Sequence, residues 1–167
     1  MEQVVAGVDQ YLSFTLGNEV YGTEISKVRE ILDYPTITRV PRMPPYLVGV
    51  INLRDNVVPI IDMRLKFDLP PTERTVNTCV IIVEITSGVE EITIGCLADS
   101  VKEVLDLASG QIEPPPKMGV GIDTSFLRGM GRQGEKFLLI LDIDKVLSVD
   151  ELQLASHIAK ETVNGNN

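Results

Sequence analysis

The feature that most constrains this chain is an internal repeat. The segment from Gly22 to Asp33 (GTEISKVREILD) lies over the segment from Gly95 to Asp106 (GCLADSVKEVLD) at one constant spacing. The superposition pairs Gly22 with Gly95, Val28 with Val101, Arg29 with Lys102, Glu30 with Glu103, Leu32 with Leu105 and Asp33 with Asp106. Farther on, Gly49 meets Gly129, Ile60 meets Ile140 and Asp62 meets Asp142 at a slightly wider spacing. The difference assigns the second copy a longer loop within 107–128, where Pro114, Pro115, Pro116, Gly119 and Gly121 stand. Chance matching of apolar residues would not carry glycine, charge and branched positions together at one offset. Each copy, at roughly 60–70 residues, is too short for a secure core of its own. The two must share a core or dock face to face.

The units read as strands. Leu12, Phe14 and Leu16 alternate with Ser13 and Thr15, and Gly17-Asn18 supplies a tight turn before Glu19–Gly22 returns. Similar runs lie at Gly49–Leu53, Val57–Ile61, Thr78–Ile85, Ile92–Leu97, Val101–Leu107 and Phe137–Leu141. Several are apolar on both faces, as in sheets closed on themselves or stacked on one another. Hairpin tips are read at Arg54-Asp55-Asn56 and Gln133-Gly134-Glu135. Short helical turns are expected after Thr23, Asp62 and Asp142, the two aspartates acting as N-caps. Val28, Ile31 and Leu32 stand at i, i+3 and i+4, a helical stripe. A C-terminal helix is expected over 150–162, from Leu152, Ala155, Ile158 and Ala159 at helical spacing. Residues 1–8 and 163–167 have little to bury and are expected to be disordered. The class is mainly β.

Composition removes most chemistry. Among 167 residues there is one histidine, so any triad or metal site needing two histidines within the chain is excluded. The formal charge of −9 disfavours nonspecific binding to nucleic acid or anionic lipid. No apolar run is long enough to cross a bilayer, and the Met1 end carries no export signal, so a cytoplasmic setting is expected. Cys79 and Cys96 lack CxxC spacing and read as buried small hydrophobes. Gly129–Gly134 (GMGRQG) matches GxGxxG, but a strand follows instead of a helix, so its glycines read as hairpin positions. Asp142-Ile-Asp144 opens like a calcium loop, yet no turn glycine or closing glutamate follows. Ser13, Ser26 and Ser100 have no activating motif. No cofactor, metal or catalytic residue is expected. The most specific element is the Gly49–Arg64 stretch, which presents Arg54 as a planar donor fork at a hairpin tip.

Those residues carry a resemblance. Tyr11–Gly22 (YLSFTLGNEVYG), VREI at 28–31, and the long stretch from Ile37 to Phe67 with its NLR-x-x-V-P-I-x-D-x-R core closely resemble the CheW family of bacterial chemotaxis coupling proteins. DSVKEVL, IEPPP and LLILDIDKVL also fit, so the likeness covers roughly residues 10–150. It implies two five-stranded SH3-like β-barrels around a shared hydrophobic core, with units near 11–67 and 78–147 and room for strand sharing. It also implies a non-enzymatic adaptor of a two-component system, tethering the histidine kinase CheA to the cytoplasmic tip of chemoreceptors in membrane-associated arrays, without inserting in the membrane. Carried over by residue, receptor binding falls to Val28, Glu30, Ile31, Gly49, Arg54 and its neighbour Asp55. Kinase binding falls to Ile25 and Ile37, with a second contact at Glu113 and Met118. The family usually has Gly where Asp55 stands. Asp tolerates the left-handed turn, and its carboxylate is expected beside Arg54, where pairing would retune docking. The alternatives are an adaptor of another chemosensory array, such as one for surface motility, or a small-molecule-binding β-barrel protein.

Overall fold

Alternation in the first run produces a hairpin of β1 (Val8–Leu16) and β2 (Glu19–Glu24), closed by Gly17 at φ +62°. The computed structural model describes residues 8–88, 90–115 and 125–165. A 3-10 turn (Ile25–Lys27) leads to β3 (Val28–Asp33), β4 (Leu47–Leu53), β5 (Asn56–Asp62) and the single-turn α1 (Met63–Lys66). Then come β6 (Cys79–Ser87), β7 (Glu90–Ala98), β8 (Ser100–Ala108), β9 (Ile112–Glu113), β10 (Leu127–Gln133) and β11 (Lys136–Leu141). A 3-10 turn (Ile143–Lys145) and α2 (Val149–Gly165) complete the chain, the helix running past its expected end at 162. Met118, residues 1–7 and residues 166–167, with the expectations placed on them, lie outside the described residues.

The strands form two curled sheets, ordered β8-β1-β2-β11-β10-β9 and β3-β6-β7-β5-β4. These sheets do not follow the boundaries 11–67 and 78–147. Each combines a hairpin from one copy of the repeat with strands from the other: β1–β2 joins β8, β10 and β11, while β6–β7 joins β3, β4 and β5. The joints are the parallel pairs β2–β11 and β5–β7. The connection from β2 to β3 is only the three-residue turn at Ile25–Lys27, and it carries the chain from one sheet to the other. Neither copy can complete a sheet alone, which is how two undersized units become one cooperative fold. The first sheet also has a sixth strand, β9, paired with β10 through Ile112 and Glu113.

Two expectations need correction. The helical spacing of Val28, Ile31 and Leu32 belongs to a strand: residues 28–33 alternate between half-buried and exposed. Val28 and Leu32 share the half-buried face, and the apolar Ile31 on the exposed face completes the look of a helical stripe. In the GxGxxG stretch only Gly134 occupies the turn; Gly129 and Gly131 lie within β10.

Two-faced strands explain the unbroken run of Val and Ile in β6. Cys79, Ile81, Val83 and Ile85 enter a core shared by the two sheets, while Val80 and Ile82 point into the second sheet's own interior. Four stacked rings, Phe14, Tyr21, Phe67 and Phe126, run through the shared core with centroid spacings of 6.1, 5.7 and 4.5 Å. Leu152, Ala155 and Ile158 seat α2 on the same core.

Three aspartates and a glutamate fix the connections. Asp62 is buried and accepts bonds from the Arg64 N–H (3.1 Å), the Thr72 N–H (3.0 Å) and the Thr72 hydroxyl (2.8 Å). Its repeat partner Asp142 likewise caps the turn beyond it through the Asp144 N–H at 3.2 Å. Asp144 in turn accepts from Lys27 (2.9 Å) and from the Thr86 N–H (2.9 Å), tying the two sheets together. At the start of α2, Ser148 and Glu151 cap each other: the Ser148 N–H donates to Glu151 Oε1 (2.8 Å), and the Glu151 N–H donates to Ser148 Oγ (3.1 Å). Lys66 donates to Glu151 Oε2 at 2.6 Å.

Burial works to raise the Glu151 carboxyl, but the bonds from Lys66 and Ser148 outweigh it and hold the group below the usual carboxylate range. A depressed folded-state value means the stabilisation is complete above the unfolded value of about 4.3 and is lost as pH falls through the folded value. The melting temperature should therefore drop as pH falls below about 4. Glu151→Gln should flatten part of that acid limb, as followed by helical circular dichroism during melting.

Candidate functional site

The β4–β5 hairpin pairs Leu53 with Asn56, leaving Arg54 and Asp55 as a two-residue turn. Both are left-handed, at φ +49° and +68°, the backbone of a type I′ hairpin. Asn52 Oδ1 accepts the Asp55 N–H at 3.1 Å and steadies the loop. Asp55 thus occupies a position that favours glycine. Asp55→Gly should raise stability by roughly 0.5–1 kcal/mol, read as a higher melting temperature with the Arg54 contacts intact.

From this tip the Arg54 guanidinium reaches across to β3 and forks onto the Glu30 carboxylate, with Nη1 3.4 Å from Oε2 and Nη2 in closer contact with Oε1. The expected pairing with Asp55 is replaced by this one, because Glu30 offers both oxygens to the fork from the facing strand. The hydrogen bond from Arg54 holds the Glu30 carboxyl below its ordinary range, and Glu30 raises Arg54 in return. The Arg54 side chain is 72% exposed, so the pair adds little to stability and leaves a fixed, accessible charge pattern.

Beside the pair runs a groove of about 450 Å³, bounded by Glu30 and Arg54, by Val57 and Ile92, and by Ala155 and Ala159 of α2. Arg29 and Glu84, themselves an ion pair, complete its charged rim. In the sequence Ala155 and Ala159 served only to place the helix, so their position on the groove and the Arg29–Glu84 pair were missed.

The other receptor-assigned residues are dispersed. Val28 packs on the shared core, whereas Ile31 stands outward with 45% of its surface exposed. Gly49 sits in a bulge of β4, and a Cβ there would lie 2.2 Å from the Thr38 carbonyl oxygen and 2.8 Å from Ile37 Cγ2. Its repeat partner Gly129 similarly lets Glu113 of β9 cross β10, where a Cβ would lie 2.7 Å from the Glu113 carbonyl oxygen. Glycine is required at both places because another backbone passes over the strand. Ile37, assigned to the kinase, therefore lies directly over Gly49, assigned to the receptor. Ile25 packs against the shared core. Glu113 is on β9 and bonds Arg132 at 2.7 Å, with that guanidinium 5.3 Å from the Phe137 ring centre. Met118 lies outside the described residues.

The repeat is asymmetric here. Where the first copy has Arg54-Asp55, the second has Gly134-Glu135; Glu103, the counterpart of Glu30, has its backbone clasped by Ser13 Oγ at 2.8 and 3.0 Å. One of two equivalent sheets thus carries an arginine fork at its hairpin tip.

Residues 10–151 match the CheW-like domain. The chain belongs to the CheW family. It is 42% identical over 151 residues to the chemotaxis protein CheW of Klebsiella aerogenes, covering 90% of this chain and 89% of that one. It is 30% identical to the chemotaxis protein CheW of Treponema pallidum, covering 89% and 88%. The fold matches the scaffolding protein TtCheW of Thermoanaerobacter tengcongensis with a TM-score of 0.75 at 31% identity, covering 86% and 94%. This CheW-family chain is a chemotaxis coupling adaptor. No helix among its described residues is long and apolar enough to cross a membrane.

Proposed function

We propose that this chain tethers the histidine kinase CheA to the cytoplasmic tip of chemoreceptors, without chemistry of its own. Receptor helices dock along the groove beside Glu30 and Arg54, with Val28 and Ile31 shaping the strand that carries Glu30. The CheW-like regulatory domain of the kinase docks through the region of Ile25 and Ile37, and a second kinase contact lies around Glu113 and Met118. The chain works in the cytoplasm and is recruited to receptor arrays.

The observation that carries this reading is the fork of Arg54 on Glu30, exposed at the rim of a groove and absent from the equivalent place in the first sheet. A guanidinium in such a pair can exchange Glu30 for a partner carboxylate at little cost, because an exposed pair is weak against water. The apolar and small side chains of the groove then supply contact area. A purely adaptor role agrees with the thiols: burial pushes Cys96 up to about 12 and raises Cys79, so neither is a ready nucleophile at neutral pH. The test is paired capture of immobilised receptor cytoplasmic fragments and of full-length CheA. Binding of both by the same chain, simultaneously and in a ternary complex, is expected; capture of only one would refute a tether.

A further inference from the structure

The fold pairs most of its cations and leaves two together. Lys27, Arg29, Arg54, Arg64, Lys66, Arg128, Arg132 and Lys145 each face a carboxylate. Arg39 and Arg74 make no ion pair among the described residues, although the chain carries an acidic excess of −9. They come from loops far apart in sequence, one between β3 and β4, the other between α1 and β6. Both line one pocket of about 310 Å³ whose apolar walls are Tyr34, Pro35, Ile37 and Val48. Among the described residues no carboxylate lines it. The Arg74 guanidinium lies 4.3 Å from the centre of the Tyr34 ring, and this cation–π contact fixes its plane before anything binds.

We propose that this pocket accepts a carboxylate side chain of the kinase, an Asp or Glu presented next to an apolar residue. The inference rests on the kinase contact proposed at Ile37, which forms one wall, and it names the chemistry of that contact. Two arginines without a carboxylate partner among the described residues supply donors for one planar acid. Tyr34, Pro35 and Val48 receive the apolar neighbour. Holding a guanidinium on a ring face reduces the side-chain entropy lost when it binds. An extended polyanion is disfavoured, because the rest of the acidic surface repels it. A pocket of this size also suits one side chain better than a chain of phosphates.

The test is calorimetric titration of the full chain into full-length CheA at low and high salt. Arg39→Gln and Arg74→Gln should each weaken binding about tenfold at low salt and flatten its salt dependence, with melting temperature unchanged. Arg74→Lys should recover only part of the loss, because an ammonium keeps the charge and loses the fork. Lys136→Gln, an exposed cation on the other sheet, should leave binding unchanged. If Ile37→Ser weakens kinase binding while both arginine variants bind like the parent, the kinase contact stands and the carboxylate pocket is wrong. If the parent chain does not bind the kinase, the contact and the pocket fall together. Loss of binding to phosphatidylglycerol vesicles in place of the kinase would assign the arginines to a lipid surface and overturn the proposal.

Discussion

Gly49→Ala should destabilise the chain by about 2–3 kcal/mol, the upper part of the range for forcing an extra carbon into a closed contact. The added Cβ would meet the Thr38 carbonyl oxygen at 2.2 Å, and that strand segment is itself held: Thr38 and Val50 exchange backbone bonds of 2.8 and 2.9 Å. Relief requires breaking both bonds or displacing Ile37 from the sheet interior. Denaturant unfolding gives the stability directly. Binding to receptor fragments and to CheA should fall together in this variant, because the damage reaches the sheet that supports both surfaces. Gly129→Ala should behave alike in the other sheet. Selective loss of receptor binding with unchanged stability would instead make Gly49 a contact residue.

The second large effect is expected at Arg54. Arg54→Ala should weaken binding to receptor fragments at least about tenfold, the scale for removing a charged hydrogen-bonding anchor at an interface. Its melting temperature and its affinity for CheA should stay near the parent's, since the Arg54–Glu30 pair is exposed. Glu30→Gln should have a smaller effect, leaving the guanidinium in place but no longer pre-oriented. Surface-based binding assays on the three proteins, run beside thermal melts, separate these outcomes. An Arg54→Ala variant that binds receptor fragments normally would remove the fork from the receptor surface.

Much of this architecture is legible in the sequence. Leu12, Phe14 and Leu16 announced a hairpin because a strand has period two, and Asp62 and Asp142 announced helical turns because a short carboxylate caps free N–H groups. The repeat exposed the duplication because Gly49 and Gly129 solve the same crossing problem. Three things were hidden. The exchange of hairpins between sheets depends on which edges close together in space, and the duplicated copies look the same whether or not they trade strands. The strand at Val28–Asp33 was hidden because Ile31 is apolar on the exposed face, which put three apolar residues at helical spacing. The Arg54–Glu30 fork joins two strands that are not neighbours in their sheet, so local reasoning offered Asp55 first. The resemblance assigned both Glu30 and Arg54 to one surface but said nothing of their contact. Cation pairing likewise becomes visible only in three dimensions, and so does the convergence of Arg39 and Arg74 on one pocket.

The central claim, that this chain couples receptor state to kinase activity, is tested most directly by autophosphorylation of full-length CheA. The assay combines the kinase with receptor cytoplasmic fragments, with and without this chain. Kinase activity should change with receptor present only when the chain is added, and Arg54→Ala should abolish that change while still binding the kinase. Kinase activity that stays the same across all of these mixtures, at concentrations that saturate binding, would contradict the account.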